Sequence, residues 1–227
     1  MADSSRACSE DDRPTAVTRP ESFILSPALL IRPLDPQAVF GNTHPLEVDV
    51  GCGKGRFLIA RAGALPEVNF LGLDWRLKRV EKVDRKLRRA GLANVRLAPA
   101  EAAWLIAEWL PPTSVRACYI FFPDPWPKRR HRRRRLFDSA FPASLHRTLM
   151  ADGCVHVATD HADYFERIRA LLRADVRFTE VAPYRTTAEE RTEFETTFLK
   201  LGTPVGRCSF RKAAPLQPIA AAPPPTP

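Results

Sequence analysis

Between residues 46 and 212 the chain alternates two hydrophobic patterns. Short, nearly continuous apolar runs recur: "LEVDVG" (46–51), "VNFLGLDW" (68–75), "NVRLAP" (94–99), "VRACYIFFP" (115–123) and "GCVHVATD" (153–160). Runs of this length, apolar throughout, predict strands buried on both faces. Between them lie stretches with helical spacing. "FLIARAGALP" begins helical and stops at Pro66. "RLKRVEKVDRKLRRAGL" places Leu77, Val80, Val83 and Leu87 on one helical face and ends near Gly91. "EAAWLIAEWL" is a short helix stopped by Pro111. Residues 133–150 are helical in pattern, as is "ADYFERIRALLRA". The chain closes with "RFTEVAP" as strand, "EERTEFETTFLKLG" as helix or loop, and "TPVGRCSFRK" as strand.

Seven strands alternating with helices of ten to fifteen residues predict a doubly wound α/β sheet, mostly parallel, with helices on both faces. The last pair lacks a clear crossover helix, which predicts an antiparallel edge strand. The folded domain is expected over 23–212. Residues 1–22 are polar and charged, and 213–227 are rich in Ala and Pro. Neither can bury enough surface to fold alone, so both are expected to be disordered tails.

Charge changes the picture. Lys and Arg number 35 against 26 Asp and Glu, a net charge of +9 with a sequence pI near 9.8. Arg outnumbers Lys and suits phosphate. The excess points first to nucleic acid, ahead of an anionic membrane. The five cysteines include no CxxC, so neither a disulfide framework nor a zinc site is expected. This fits a reducing cytoplasm. The N-terminus has no apolar core of a signal peptide, and no run approaches a membrane span.

In such sheets ligands bind beyond the C-terminal ends of the strands. The first strand ends "DVGCGKG". Gly51, Gly53 and Gly55 permit a tight turn close to a ligand. The spacing fits neither GxxxxGK[ST] nor GxGxxG. A short glycine turn after an acidic strand suits S-adenosylmethionine, with Asp49 facing the methionine part. The second strand ends in Asp74, placed to accept hydrogen bonds from a ribose diol or to cap the next helix. Trp75 can cover an adenine. Glu101 contacts adenine or simply sits in the first turn of a helix. The fourth strand delivers "FFPDPWPK", where three prolines fix the backbone around Asp124 and Trp126. "KRRHRRRR" (128–135) follows inside the domain. A nuclear-import signal is one reading of such a run. Its place beside the presumed methyl site favours phosphate contact instead.

Taken together, "DVGCGKG", "FLGLDW", "NVRLAPAEA", "FFPDPWPKRRHRRRR", "HVATD" and "RTEFETTFLKLGTPVGR" resemble the bacterial tRNA (guanine-N7)-methyltransferases, over roughly residues 46–207. The resemblance implies a Rossmann-like class I methyltransferase. It also implies methyl transfer from S-adenosyl-L-methionine to N7 of guanine 46 in the tRNA variable loop. Carried over, Asp49, Asp74, Glu101 and Asp124 match donor-site acids, and Asp124 the catalytic position. Lys128, Asp160, Thr192, Glu193, Phe194 and Glu195 match substrate-contacting positions. Arg130, His131, Arg132, Arg133, Arg134 and Arg135 match the RNA-contacting stretch. Asp49 stands where the family commonly has Glu, and Glu101 where it has Asp. Asp-Pro-Trp differs from the Asp-Pro-Pro turn of exocyclic-amine methyltransferases. Two alternatives remain: methylation of another RNA base or an amine, and a non-catalytic RNA-binding module. A monomer without metal, acting on tRNA in the cytoplasm, is expected.

Overall fold

The computed structural model describes residues 20–26 and 33–213. The tails expected over 1–22 and 213–227 lie outside the described residues, except for 20–22 and Ala213.

Seven strands form one sheet in the order β3-β2-β1-β4-β5-β7-β6. They are β1 (Leu46–Val50), β2 (Asn69–Leu73), β3 (Val95–Ala98), β4 (Val115–Phe121), β5 (Leu149–Thr159), β6 (Phe178–Val181) and β7 (Gly206–Lys212). Strands β1 to β5 pair in parallel, and β7 runs antiparallel to both β5 and β6. The antiparallel edge expected from the last pair is formed by β6 and β7, with β7 lying between β5 and β6. All five residues of β1 and of β2 are buried, as their apolar runs require of central strands.

Among the described residues seven α-helices accompany the strands: α1 (Pro36–Phe40), α2 (Arg56–Ala64), α3 (Leu77–Ala90), α4 (Ala102–Glu108), α5 (Phe141–Thr148), α6 (Ala162–Arg173) and α7 (Glu193–Leu201). Helix α3 buries Val80, Val83 and Leu87 and ends at Gly91 in the left-handed conformation. These side chains pack with Leu58, Phe70 and Leu97 on one face of the sheet. Residues of α1, α4, α5 and α6 pack on the larger core with Val48, Ile120 and Phe210.

The continuous helix expected over 133–150 is not formed. The basic run makes a 3-10 helix, Arg129–Arg134, and the chain then leaves helical geometry until α5. Two features break it. The Asp138 carboxylate accepts from the Ala140 and Phe141 amides at 2.9 Å each, which starts a new helix. Pro142 then sits in that first turn, where its missing donor is harmless. Strand β5 also begins earlier than expected, at Leu149, through an irregular pairing with Val115. The stretch 189–202, open between helix and loop, contains α7. Thr192 caps it by accepting from the Glu195 amide.

Candidate functional site

A cavity of about 700 Å³ opens at the C-terminal ends of β1, β2 and β4. The glycine turn forms its floor. Gly51 and Gly53 have φ of 78° and 57°, and a Cβ at Gly51 would meet nothing within 4 Å, so this backbone is open to a ligand. Gly55 does something else. It does not line the cavity, and its Cβ would lie 2.6 Å from Val83 of α3. Its absence of a side chain lets α2 start tightly against α3.

Four expected acids reach this cavity: Asp49, Asp74, Glu101 and Asp124. Asp49 is 5% exposed, and its Oδ2 has no hydrogen-bond partner among the described residues. Burial, reinforced by the charge of Asp74, pushes its carboxyl up to about 7. An unpartnered buried carboxylate in an open cavity suits a cationic group. Asp74 is also buried. Its Oδ1 accepts from the Arg76 amide at 2.9 Å, and its Oδ2 pairs with Arg79 at 3.4 Å. Trp75 is 64% exposed on the rim, with the Arg76 guanidinium 4.7 Å from its ring centroid. Glu101 is exposed and caps α4, accepting from the Ala103 and Trp104 amides. The carboxylate therefore serves the helix while facing the cavity.

Asp124 projects from a turn with unusual backbone geometry. Phe122 and Trp126 have φ of 55° and 38°, values that side-chain-bearing residues rarely adopt. The surroundings hold this strain. The Phe122 amide donates to Ala158 O at 2.7 Å, and Arg135 Nε donates to Pro125 O at 2.6 Å. The Arg134 guanidinium lies 5.1 Å from the Trp126 centroid, and the His131 ring meets Trp126 edge-on at 5.7 Å.

The basic run divides. Arg130, Arg132, Arg133 and Arg134 are exposed, and Arg134 also lines the cavity. His131 is half-buried and accepts from Arg130 at 3.2 Å if its Nε2 is unprotonated. Arg135 departs from the expected RNA-contacting role. It is 8% exposed, with its guanidinium over the Tyr164 ring at 4.6 Å. Its side chain is spent on the Asp-Pro-Trp turn, a placement the charge pattern could not distinguish.

The expected substrate positions also divide. Thr192, Glu193 and Phe194 line the cavity, with Thr197 one turn further along α7. Phe194, Phe198 and Phe122 group together, with centroids 5.4 to 6.3 Å apart. Glu195 faces inward instead; it is 4% exposed, pairs with Arg207 and accepts from Thr186 Oγ1 at 2.7 Å. It is taken up in holding α7 against β7 and is not open to a substrate. Lys128 and Asp160 are exposed and lie outside the cavity lining.

Several lining residues carried no signal in the sequence. Arg79 neutralises Asp74 from the next helix turn. Arg56 reaches α7, donating to Thr196 Oγ1 at 3.3 Å and to Ala188 O at 3.2 Å. Among the described residues no helix is long and apolar enough to cross a membrane, and no group of three or more His, Cys, Asp or Glu could hold a metal.

A family model described as "Putative methyltransferase" matches residues 43–208. A tRNA (guanine-N(7)-)-methyltransferase of Geobacter metallireducens is 42% identical over 142 residues, 63% of this chain and 67% of that protein. The chain aligns over 62–67% of the length of this and two comparable relatives, about two thirds. A tRNA (guanine-N(7)-)-methyltransferase of Nitrosococcus oceani is 34% identical over 80% of this chain and 77% of that one. Among solved structures, the 16S rRNA methyltransferase KamB superposes with a TM-score of 0.59 over 78% of this chain and 92% of that one. At 14% identity this likeness concerns the fold alone. With its acidic cavity at the strand ends and these matches, the chain belongs to the tRNA (guanine-N(7)-)-methyltransferase family.

Proposed function

We propose that the protein transfers a methyl group from S-adenosyl-L-methionine to N7 of guanine 46 in the tRNA variable loop. The observation that carries this reading is the pairing, in one cavity, of an unpartnered buried carboxylate, Asp49, with Asp124 on a strained Asp-Pro-Trp turn. When bound, S-adenosyl-L-methionine supplies an electrophilic methyl on a positively charged sulfur. Asp49 would hold its ammonium group, Asp74 would accept from its ribose, and Glu101 and Trp75 would flank its adenine. The glycine turn brings backbone close without steric conflict.

Guanine N7 has a lone pair and no proton, so the chain needs no base to prepare it. Asp124 works by position and charge. It accepts a hydrogen bond from N1–H or the amino group and stabilises positive charge developing on the purine. Adenine offers no N1–H. Thr192, Glu193 and Phe194 close the acceptor side, and the phenylalanine cluster offers a stacking surface. Freeing the base from tRNA tertiary contacts costs a few kcal/mol. Phosphate contacts from Arg130, Arg132, Arg133 and Arg134 offset that cost without reading sequence. The net charge of +9 supports action on a polyanion such as tRNA; the proposed state is a monomer in the cytoplasm.

The test is transfer of labelled methyl to one unmodified tRNA transcript. Two controls carry adenine or 7-deazaguanine at the variable-loop position. Label in the first transcript and in neither control is expected; label retained by the 7-deaza transcript moves the target elsewhere. Asp124→Asn should lower kcat by about 10²-fold, the loss typical of one preorganised electrostatic contact. Near-normal turnover in that variant would remove the charge role.

A further inference from the structure

We infer that the outer face of α3 is a second phosphate-contacting surface, so that tRNA bound at the cavity is held on both sides of it. The inference rests on the proposed tRNA substrate. It comes from a helix that the catalytic reading leaves unused beyond its first turn.

Helix α3, "LKRVEKVDRKLRRA", has seven basic residues against two acidic ones. They are not equivalent. Asp84 is buried, binding Arg88 and accepting from the Phe23 amide at 2.7 Å. Lys86 donates to Lys54 O at 2.7 Å, and Arg79 pairs with Asp74. Lys78, Lys82, Arg85 and Arg89 are exposed, and no hydrogen bond or ion pair engages them among the described residues. At about 100° per residue these four fall on one stripe. That stripe lies opposite Val80, Val83 and Leu87, which face the core. It runs about 16 Å along the helix. A shallow groove between Ser22, Ile24 and the Arg85–Arg88–Arg89 side chains lies along it.

Position gives the stripe its meaning. Trp75 and Arg79, just before and at the start of α3, line the cavity on one side, while Trp126 of the Asp-Pro-Trp turn and Arg134 of the basic 3-10 helix line it on another. A polyanion with one nucleotide in the cavity meets unpaired cations in both directions. A solvated helix would be expected to mix charges in i,i+4 pairs; here Glu81 alone supplies an exposed acid. Val80, Val83 and Leu87 are sealed in the core and Leu77 alone among the large apolar residues of α3 is exposed, so the helix offers no apolar face to a lipid surface. Nucleic acid is therefore the partner that fits.

The test compares tRNA binding over a salt series for the full chain and the variant Lys78→Gln/Lys82→Gln/Arg85→Gln/Arg89→Gln. Each lost phosphate contact should flatten the log K against log[salt] slope by about 0.7–0.9, or about 3 in total. The half-variants Lys78→Gln/Lys82→Gln and Arg85→Gln/Arg89→Gln should each give about half of this. Arg85→Lys/Arg89→Lys keeps charge and should keep the slope. Donor binding by calorimetry should be unchanged. A slope equal to that of the unmodified protein would make the stripe an ordinary solvated face and overturn the inference. So would absence of tRNA binding by the unmodified protein, or loss confined to phosphatidylserine vesicles. Protein that binds tRNA yet makes no 7-methylguanosine would instead sink the proposed activity, and the slope comparison would still decide the role of α3.

Discussion

Asp49 illustrates how one position can be poor for stability and useful for binding. Its carboxyl is buried without a partner on Oδ2 and is pushed up from 3.8 to about 7. The folded-state value lies above the unfolded one, so the unfolded chain gives up this proton first as pH rises. Stability from this group is present below about 4, falls between about 4 and 7, and is level above. The difference amounts to about 4 kcal/mol at most. Asp49→Asn should therefore gain on the unmodified protein as pH is raised from 4 to 8, measured by urea unfolding at each pH. Donor affinity should move the other way. In the unmodified protein it should rise with pH up to about 7, with proton release on binding visible by calorimetry in two buffers. In Asp49→Asn affinity should be lower and the pH dependence flat. Retained pH dependence in the variant would assign it to another group.

The element that matters most for chemistry is the Asp-Pro-Trp turn together with the 3-10 helix that follows it. The three prolines suggested a stiff turn, and the helix shows what else holds it. Arg135 leaves the basic run, stacks on Tyr164 and donates to Pro125 O. Lysine keeps the charge but has neither the planar stacking surface nor the fixed donor geometry. Arg135→Lys should thus lower kcat several-fold, while Arg135→Gln, which removes the charge, should leave the salt slope of tRNA binding unchanged. A flattened slope would return Arg135 to the phosphate-contacting set. The Arg-rich run was legible as a whole from sequence, but its division was not. Spacing along the chain does not say which side chain of a tight helix turns inward.

Across the molecule, Arg61 joins parts that are distant in sequence. From α2 it donates to Glu47 of β1 at 3.2 Å, Tyr119 of β4 at 2.9 Å, and Tyr184 and Glu190 before α7 at 3.0 and 3.2 Å. Glu47 and Glu190 side chains are only 2% and 7% exposed. Beside this cluster His156 stacks on Tyr119, and burial, aided by Arg61, lowers it to about 4. The network fastens the 184–201 segment, which carries the acceptor side of the cavity, onto the helix that begins at the glycine turn. Arg61→Met leaves Glu190 without its cation and Glu47 with Arg116 alone. It should destabilise the fold by about 3 kcal/mol, read as a lower urea midpoint at unchanged slope. Protease cleavage should appear first within 184–201. Cleavage elsewhere first would deny the segment its dependence on Arg61.

The amino-acid sequence by itself determined the alternation of strands and helices, because buried parallel strands must be apolar throughout and helices must show one apolar face. It also determined the glycine turn and the acids at the strand ends, since positive φ and ligand charge restrict those positions to few residue types. Tertiary structure alone decided the insertion of β7 beside β5 and the inward turn of Arg135 and Glu195. It also decided which cations of α3 stay free, because Arg79, Lys86 and Arg88 are engaged by Asp74, Lys54 O and Asp84. The insertion and the inward turns depend on which partner lies across a gap of about ten residues, as for Arg135 and Pro125, to more than fifty, as for Cys154 and Arg211. A local pattern holds no record of that distance; packing and charge pairing in the assembled sheet do.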